Sequence, residues 1–341
     1  MPIVQAPLSG GPSTPELTVA AGRAGAFGFL AGGYRGPEAL REDIGRVRAA
    51  TAQPFGVNLF VPGSRSADAA AIDAYAERVR GEAARVGAGP GEPAWSDDQW
   101  RAKLDLVLAE RPAVVSFTFG CPDRAVFDAL HAAGVEAWVT VTEASEAEQA
   151  AEVGADALVV QGVEAGGHRG SFQDLDGVGE VGLIVLLRLV ARRVGLPLVA
   201  TGGICDGAAA AAALAAGARA VQVGSALLDT PEAGTSAPHR EALHGGGRTR
   251  LTRAFSGRRA RGIVNGFMER NDRVAPSGYP QVHYLTTPMR AAARARGEPD
   301  LINLWAGQGH ELAPHGVSAE RVIATMADEI RAALDGARAR L

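Results

Sequence analysis

Several features that would place a chain in a functional class are scarce or missing here. Two cysteines, Cys121 and Cys205, stand in 341 residues and form no CxxC pair, which excludes a disulfide framework and fits a reducing compartment. Positive charge is not in surplus: 34 Lys+Arg against 38 Asp+Glu leave a net charge of −4, so nucleic-acid binding by counterion release has no source. The one basic cluster, Arg248, Arg250, Arg253, Arg258, Arg259 and Arg261, is expected to be a solvated or intersubunit face rather than a polyanion site. No uninterrupted apolar run is long enough to span a bilayer, and the amino terminus lacks the basic segment and apolar core of a signal peptide. The few His and Cys show no zinc-type spacing, so no metal is expected, and no GxSxG elbow occurs. The expectation is a soluble, cytoplasmic monomer or homodimer without nucleic-acid or membrane partners.

What is present is a long alternation of apolar runs and capped helical segments. The runs are Ile3 to Ala6, Phe27 to Leu30, Phe55 to Phe60, Val114 to Phe119, Glu136 to Val141, Ala157 to Gln161, Pro197 to Thr201 and Ala220 to Gly224. They are short and continuous, as strands buried on both faces require. Helical segments lie between them, starting at signals such as Thr14-Pro15 and ending at Gly25, Gly134, Gly154, Gly195 and Gly217. Eight strand–helix units predict a (β/α)8 TIM barrel, since an open doubly wound sheet usually stops earlier. Two segments break the pattern. Helices over Ser66 to Gly87 and Ser96 to Glu110 around a Gly/Pro-rich joint predict an elaborated third crossover. The mixed stretch from Pro231 to Trp305 predicts a smaller, mostly helical inserted domain, a lid above the mouth, leaving residues 1–230 and 306–341 as the barrel.

The strand ends carry the chemistry, as α/β folds dictate. Thr201-Gly202-Gly203-Ile204 and Gln222-Val223-Gly224-Ser225 end the seventh and eighth strands, where barrels bind phosphate through backbone N–H groups. Gly177 to Gly182 matches GxGxxG, but a polar run precedes it instead of a strand, so it reads as a helix-starting turn. Asn58 and Gln161 place amides on apolar strands near the mouth, matched to the alternating donors and acceptors of a flavin ring or to internal partners. The sixth strand runs into Gln161 to Gly170, a turn with four glycines and His168, a candidate general base or anion-facing donor. Glu164 is expected to stabilise that turn.

With these residues in view, the chain resembles the class I nitronate monooxygenases, formerly 2-nitropropane dioxygenases. The resemblance runs nearly end to end: Gln5 to Gly11 with Ser13 to Leu17, Phe55 to Phe60, Val115 to Gly120, Gln161 to Gly170, Thr201 to Ile204, Gln222 to Ser225, Thr252 to Gly257 and Leu304 to Gln308. Departures are Leu8, Gly56, Cys121 and Ser225, of which Cys121 bears on the substrate pocket. The resemblance implies FMN as cofactor, held by Asn58, Gln161, Gly166, Gly202, Gly203, Gln222, Val223, Gly224 and Ser225, with Ala6, Pro7 and Leu8 along the ring. It implies His168 as the catalytic residue beside the nitronate, and oxidation of alkyl nitronates such as propionate 3-nitronate by O2 to carbonyl compounds with nitrite or nitrate. The Gln161 to Gly170 block is shared with NAD(P)H-dependent flavin reductases acting on quinones or enoyl thioesters, the alternative reading. Tyr279, Tyr284 and Trp305 are candidates for the substrate wall.

Overall fold

In the computed structural model, which describes residues 1–65 and 67–340, eight parallel strands form the central sheet. They are β1 (Ile3–Gln5), β2 (Gly28–Ala31), β3 (Phe55–Phe60), β4 (Val114–Thr118), β5 (Glu136–Val141), β6 (Ala157–Gln161), β8 (Leu198–Thr201) and β9 (Ala220–Val223). A two-residue strand, β7 (Gly167–His168), lies in the turn after β6, so β8 and β9 are the seventh and eighth strands of the sheet. Their order is β1-β9-β8-β6-β5-β4-β3-β2. A parallel bridge between Val4 and Phe27 closes the seam: Gln5 N donates to Phe27 O at 2.8 Å and Phe27 N to Ile3 O at 3.0 Å. The sheet is a closed barrel, as the alternation of runs predicts.

Alternate strand residues face opposite sides, and each side has its own apolar cluster. Inside the barrel, Val4, Phe29, Val114, Val159 and Val199 pack together. Gly56 is required there, because a Cβ on it would lie 2.3 Å from the Phe29 ring. Outward-facing residues pack on the helices α1 (Pro15–Arg23), α2 (Pro37–Ala50), α4 (Trp100–Glu110), α5 (Arg124–Ala132), α6 (Ala144–Val153), α7 (Leu183–Ala191) and α8 (Gly207–Ala215). The last helix, α12 (Ala319–Arg338), packs against both α8 and α1 and is the barrel's eighth helix. No helix among the described residues is long and apolar enough to cross a membrane.

The late segment contributes α9 (Ala237–His244), β10 (Thr249–Thr252), β11 (Ala260–Ile263), α10 (Gly266–Asn271) and α11 (Gln281–Arg296). It contains a β-ribbon as well as helices, and β11 pairs antiparallel with β7, setting Ala260 opposite His168 and Arg261 opposite Gly167. A second apolar core forms here from Phe255, Phe267, Val282, Leu285, Met289 and Leu304 together with Ile72, Tyr75 and Val79. Those last three sit on α3 (Ala69–Ala84), the first helix of the third crossover. Ser66, the expected start of that helix, lies outside the described residues. The two irregular segments of the sequence therefore pack on each other.

Candidate functional site

A cavity of about 300 Å³ opens at the carboxyl ends of the strands. Ala6, Pro7, Leu8, Asn58, Gln161, Gly166, His168, Gly202, Gly203, Gln222, Gly224 and Ser225 all line it. Val223 is placed differently. It is buried in the barrel wall, and its carbonyl accepts Ala6 N at 2.9 Å.

The turn after β6 is closed by its own hydrogen bonds. Gln161 Nε2 donates to His168 O at 3.1 Å, Gly170 N donates to Gln161 Oε1 at 2.9 Å, and the buried Arg169 donates to Gly162 O and Gln161 O at 2.6 and 2.9 Å. The Gln161 amide thus serves the turn itself. Glu164 accepts Leu183 N through both oxygens, at 3.0 and 3.1 Å, and so fixes the start of α7. Position 166 must be glycine because the Ala306–Gly307 backbone crosses it: a Cβ there would stand 2.4 Å from Gly307 N. Gly307 N donates to Ser225 Oγ at 2.9 Å and Gln308 N to Glu164 O at 2.9 Å, so the segment after Leu304 bridges the β6 turn to the end of β9. The GxGxxG segment leaves no strand, and Gly182 sits at the N-cap of α7.

At the other end of the cavity Gly202 and Gly203 adopt φ of +122° and +71°. Among the described residues the amides of Gly202, Gly203, Gly224 and Ser225 donate to no protein acceptor. Buried or half-buried N–H groups left unpaired are an anion site in waiting. Asn58 spends its nitrogen on Ser116 O, Ser116 Oγ and Thr118 Oγ1 at 3.2, 2.9 and 3.0 Å, leaving its oxygen without a partner among the described residues. The Gln222 side chain, also on the wall, makes no hydrogen bond among the described residues.

Ser256 Oγ lies 2.8 Å from His168 Nε2 and 3.1 Å from Arg258 O, so this hydroxyl fixes the orientation of the imidazole and leaves Nδ1 without a hydrogen-bond partner among the described residues. The rings of Phe119, Tyr279 and Trp305 surround the imidazole at 5.6 to 5.7 Å between centroids. Burial, and then the charges of Arg258 and Arg290, push its pKa down to about 3. The imidazole is neutral, and the positive potential belongs to the arginines. Arg258 lies 4.2 Å over the Phe119 ring and donates to Arg169 O at 3.2 Å and to Ser171 O. Arg290 donates to Thr286 Oγ1 at 3.0 Å, His283 O at 2.8 Å and Asn303 Oδ1 at 3.3 Å; Arg294 donates to the same Asn303 oxygen at 2.7 Å. Both arginines line the cavity, and neither meets a carboxylate among the described residues. Burial, then the neighbouring Arg294 charge, lowers the Arg290 pKa to about 9.

The basic cluster expected on a solvated or intersubunit face is largely internal. Arg258, Arg259 and Arg261 are buried, and Arg259 pairs with Asp174 at 3.1 Å and Glu180 at 2.8 Å while Arg261 Nε donates to Val163 O at 3.0 Å. The pairing of β11 with β7 draws this run inward. Of the candidate wall aromatics, Trp305 lines the cavity and Tyr279 flanks His168, whereas Tyr284 borders a separate surface groove beside Gly91. Cys121 does not reach the wall; Cys205 does. Tyr34 is an addition, its ring stacked on His283 at 4.1 Å and its hydroxyl bonded by that of Tyr279 at 3.0 Å. Arg290, Arg294 and Asn303 also carried no local signal beyond the i,i+4 spacing of the two arginines, and Ser256 stood out only as part of the Thr252 to Gly257 block.

Comparison with known proteins supplies an independent line. The family model described as nitronate monooxygenase matches residues 1–329. The nitronate monooxygenase of Pseudomonas aeruginosa is 41% identical over 343 residues, covering 97% of this chain and 96% of the relative. The nitroalkane oxidase of Streptomyces ansochromogenes superposes with a TM-score of 0.95 at 44% identity, covering 98% of this chain and 97% of that one. FabK from Thermotoga maritima follows at a TM-score of 0.78 and 25% identity, covering 100% and 96%.

Proposed function

The chain belongs to the nitronate monooxygenase family, and from that premise we propose that it uses FMN and O2 to oxidise alkyl nitronates, such as propionate 3-nitronate, to carbonyl compounds with nitrite or nitrate. The observation that carries the reading is a neutral, oriented His168 in a cavity whose two arginines, Arg290 and Arg294, have no carboxylate partner. An anionic substrate is what such a cavity lacks.

The donor set fits FMN. The unpaired amides of Gly202, Gly203, Gly224 and Ser225 suit its phosphate, while Gln222 and the Asn58 oxygen present polar atoms toward its ring. Ala6, Pro7 and Leu8 supply a backbone edge on the same wall. When bound, the flavin supplies the electron transfer between nitronate and O2. The protein's part is recognition and orientation. Arg290 and Arg294 stabilise the negative charge of the nitronate in a site poor in water, where a fixed charge acts strongly. His168 presents Nδ1 to the cavity, its ring held in that orientation by Ser256. With its pKa near 3 it is a weak base, so pre-formed nitronates are better substrates than neutral nitroalkanes. Residues 231–305, packed with α3, act as the lid over a barrel built from 1–230 and 306–341.

The test is anaerobic mixing of the flavin-loaded protein with propionate 3-nitronate or with NADH, followed by absorbance, and O2 uptake under air. Flavin reduction by nitronate and nitronate-dependent O2 uptake are expected. Rapid bleaching by NADH alone, without response to nitronate, would overturn the reading in favour of a reductase.

A further inference from the structure

Outside the cavity lining, two side chains distant in sequence converge on one carboxylate. His244, the last residue of α9, approaches Asp229 Oδ2 with Nε2 at 2.7 Å, and His315, in the loop before α12, approaches the same oxygen with Nδ1 at 3.2 Å. Gly316 N donates to it as well, at 3.0 Å. Three donors on one carboxylate oxygen are more than its two lone pairs accommodate well. The outer nitrogens, His244 Nδ1 and His315 Nε2, have no protein partner among the described residues, and the two side chains are 51% and 40% exposed. Asp229 itself is buried, and its other oxygen is held by Arg240 at 3.1 Å; Arg240 is anchored in turn on Thr230 O, Ala233 O and Thr235 O.

We propose that Asp229, His244 and His315 bind one Zn²⁺ ion. Ligands at about 2.0–2.2 Å around one tetrahedral ion stand roughly 3.3 Å from one another. The three ligand atoms here all lie within 4.8 Å, the one such grouping of His, Cys, Asp or Glu among the described residues. The ion takes the place of the two protons now directed at Oδ2: each imidazole presents its lone pair inward once its proton sits on the solvent-facing nitrogen. Imidazole with a single carboxylate selects a borderline ion such as Zn²⁺ over Ca²⁺ or Mg²⁺. Water completes the fourth position on the exposed side. Arg240 and Gly316 N orient the carboxylate from behind, as outer partners do in metal sites, though the guanidinium charge also weakens the binding. Filled, the site staples the turn after β9, the end of α9 and the approach to α12, joining the late segment to the barrel's last helix.

The experiment is calorimetric titration of Zn²⁺ into untagged, EDTA-treated protein, alongside thermal melting with and without the ion. The wild type should take up one equivalent and melt higher with Zn²⁺. His244→Ala and His315→Ala, at exposed positions that preserve the fold, should each weaken binding by roughly tenfold or more, and the double variant should lose both the binding and the melting shift. Absence of a stoichiometric binding event, or its persistence at full strength in the double variant, would overturn the assignment.

Discussion

Acidification should destabilise this protein well above the pH at which its carboxylates titrate. Three histidines are held neutral inside the fold: His168 with its pKa lowered to about 3, His239 to about 4 and His283 to about 2, in each case chiefly by burial. In the unfolded chain each returns to about 6.5. Between these values the unfolded state binds the extra proton, so stability rises with pH across that window and is lost as pH falls below 6.5. At pH 5.0 relative to pH 7.5 each histidine then removes about 2 kcal/mol, and the three together up to about 6. His239 gives the firmest share: all three line the cavity, but the His239 side chain is buried while His168 and His283 are half-buried. Asp98 and Glu146, whose pKa values are raised mainly by burial, act in the opposite sense and reduce the total. The comparison that isolates the effect is urea unfolding of flavin-free wild type and His239→Gln at both pH values. Glutamine keeps a donor toward Trp305 O, which His239 Nε2 now meets at 3.2 Å, and removes the titration. The variant's loss between pH 7.5 and 5.0 should be about 2 kcal/mol smaller than the wild type's. Equal losses would refute the claim that this histidine is buried neutral.

The remaining predictions concern the cavity. Ser256→Ala removes the hydroxyl that orients His168 and should lower kcat about tenfold, the worth of one buried hydrogen bond, with flavin retained; steady-state kinetics with propionate 3-nitronate would show it, and unchanged kcat would deny the orienting role. Gly203→Ala puts a Cβ 2.9 Å from Glu164 Cβ at a φ of +71°, a conformation that costs a non-glycine residue about 1–2 kcal/mol. FMN affinity, followed by fluorescence quenching, should fall at least several-fold.

The barrel was legible because its strands are short runs buried on both faces, and β3, β5 and β6 begin and end where the apolar runs do. The glycine turns at the strand ends were legible for the same reason, since only a ligand or a crossing backbone demands so many. β7 was not: two residues become a strand only because β11, some 90 positions later, pairs with them. That pairing also explains the misread basic run, whose spacing says nothing about which face β11 buries. Arg290 and Arg294 look like any exposed pair on an alanine-rich helix until α11 is known to pack over the mouth. The Asp229 cluster escaped motif reading because its ligands lie 15 and 86 residues from the aspartate.

Under the proposed function, the contrast between α11 and the strand ends explains how one cavity can take both a cofactor and an anion. Phosphate recognition would rest on backbone amides, fixed by glycine turns that the sheet itself positions. Substrate recognition would rest instead on guanidinium groups satisfied by carbonyls, hydroxyls and Asn303, partners that fill the hydrogen-bonding directions of Arg290 yet leave its charge uncompensated. Burying such a charge is unfavourable by several kcal/mol even after relaxation. An anion in the cavity relieves part of that penalty, so nitronate binding and stability are linked through one residue. Arg290→Met therefore predicts two changes of opposite sign: a nitronate KM raised tenfold or more, and a substrate-free protein at least as stable as the wild type. A variant that lost both affinity and stability would mean that the guanidinium is a structural tie rather than a charge held for the substrate.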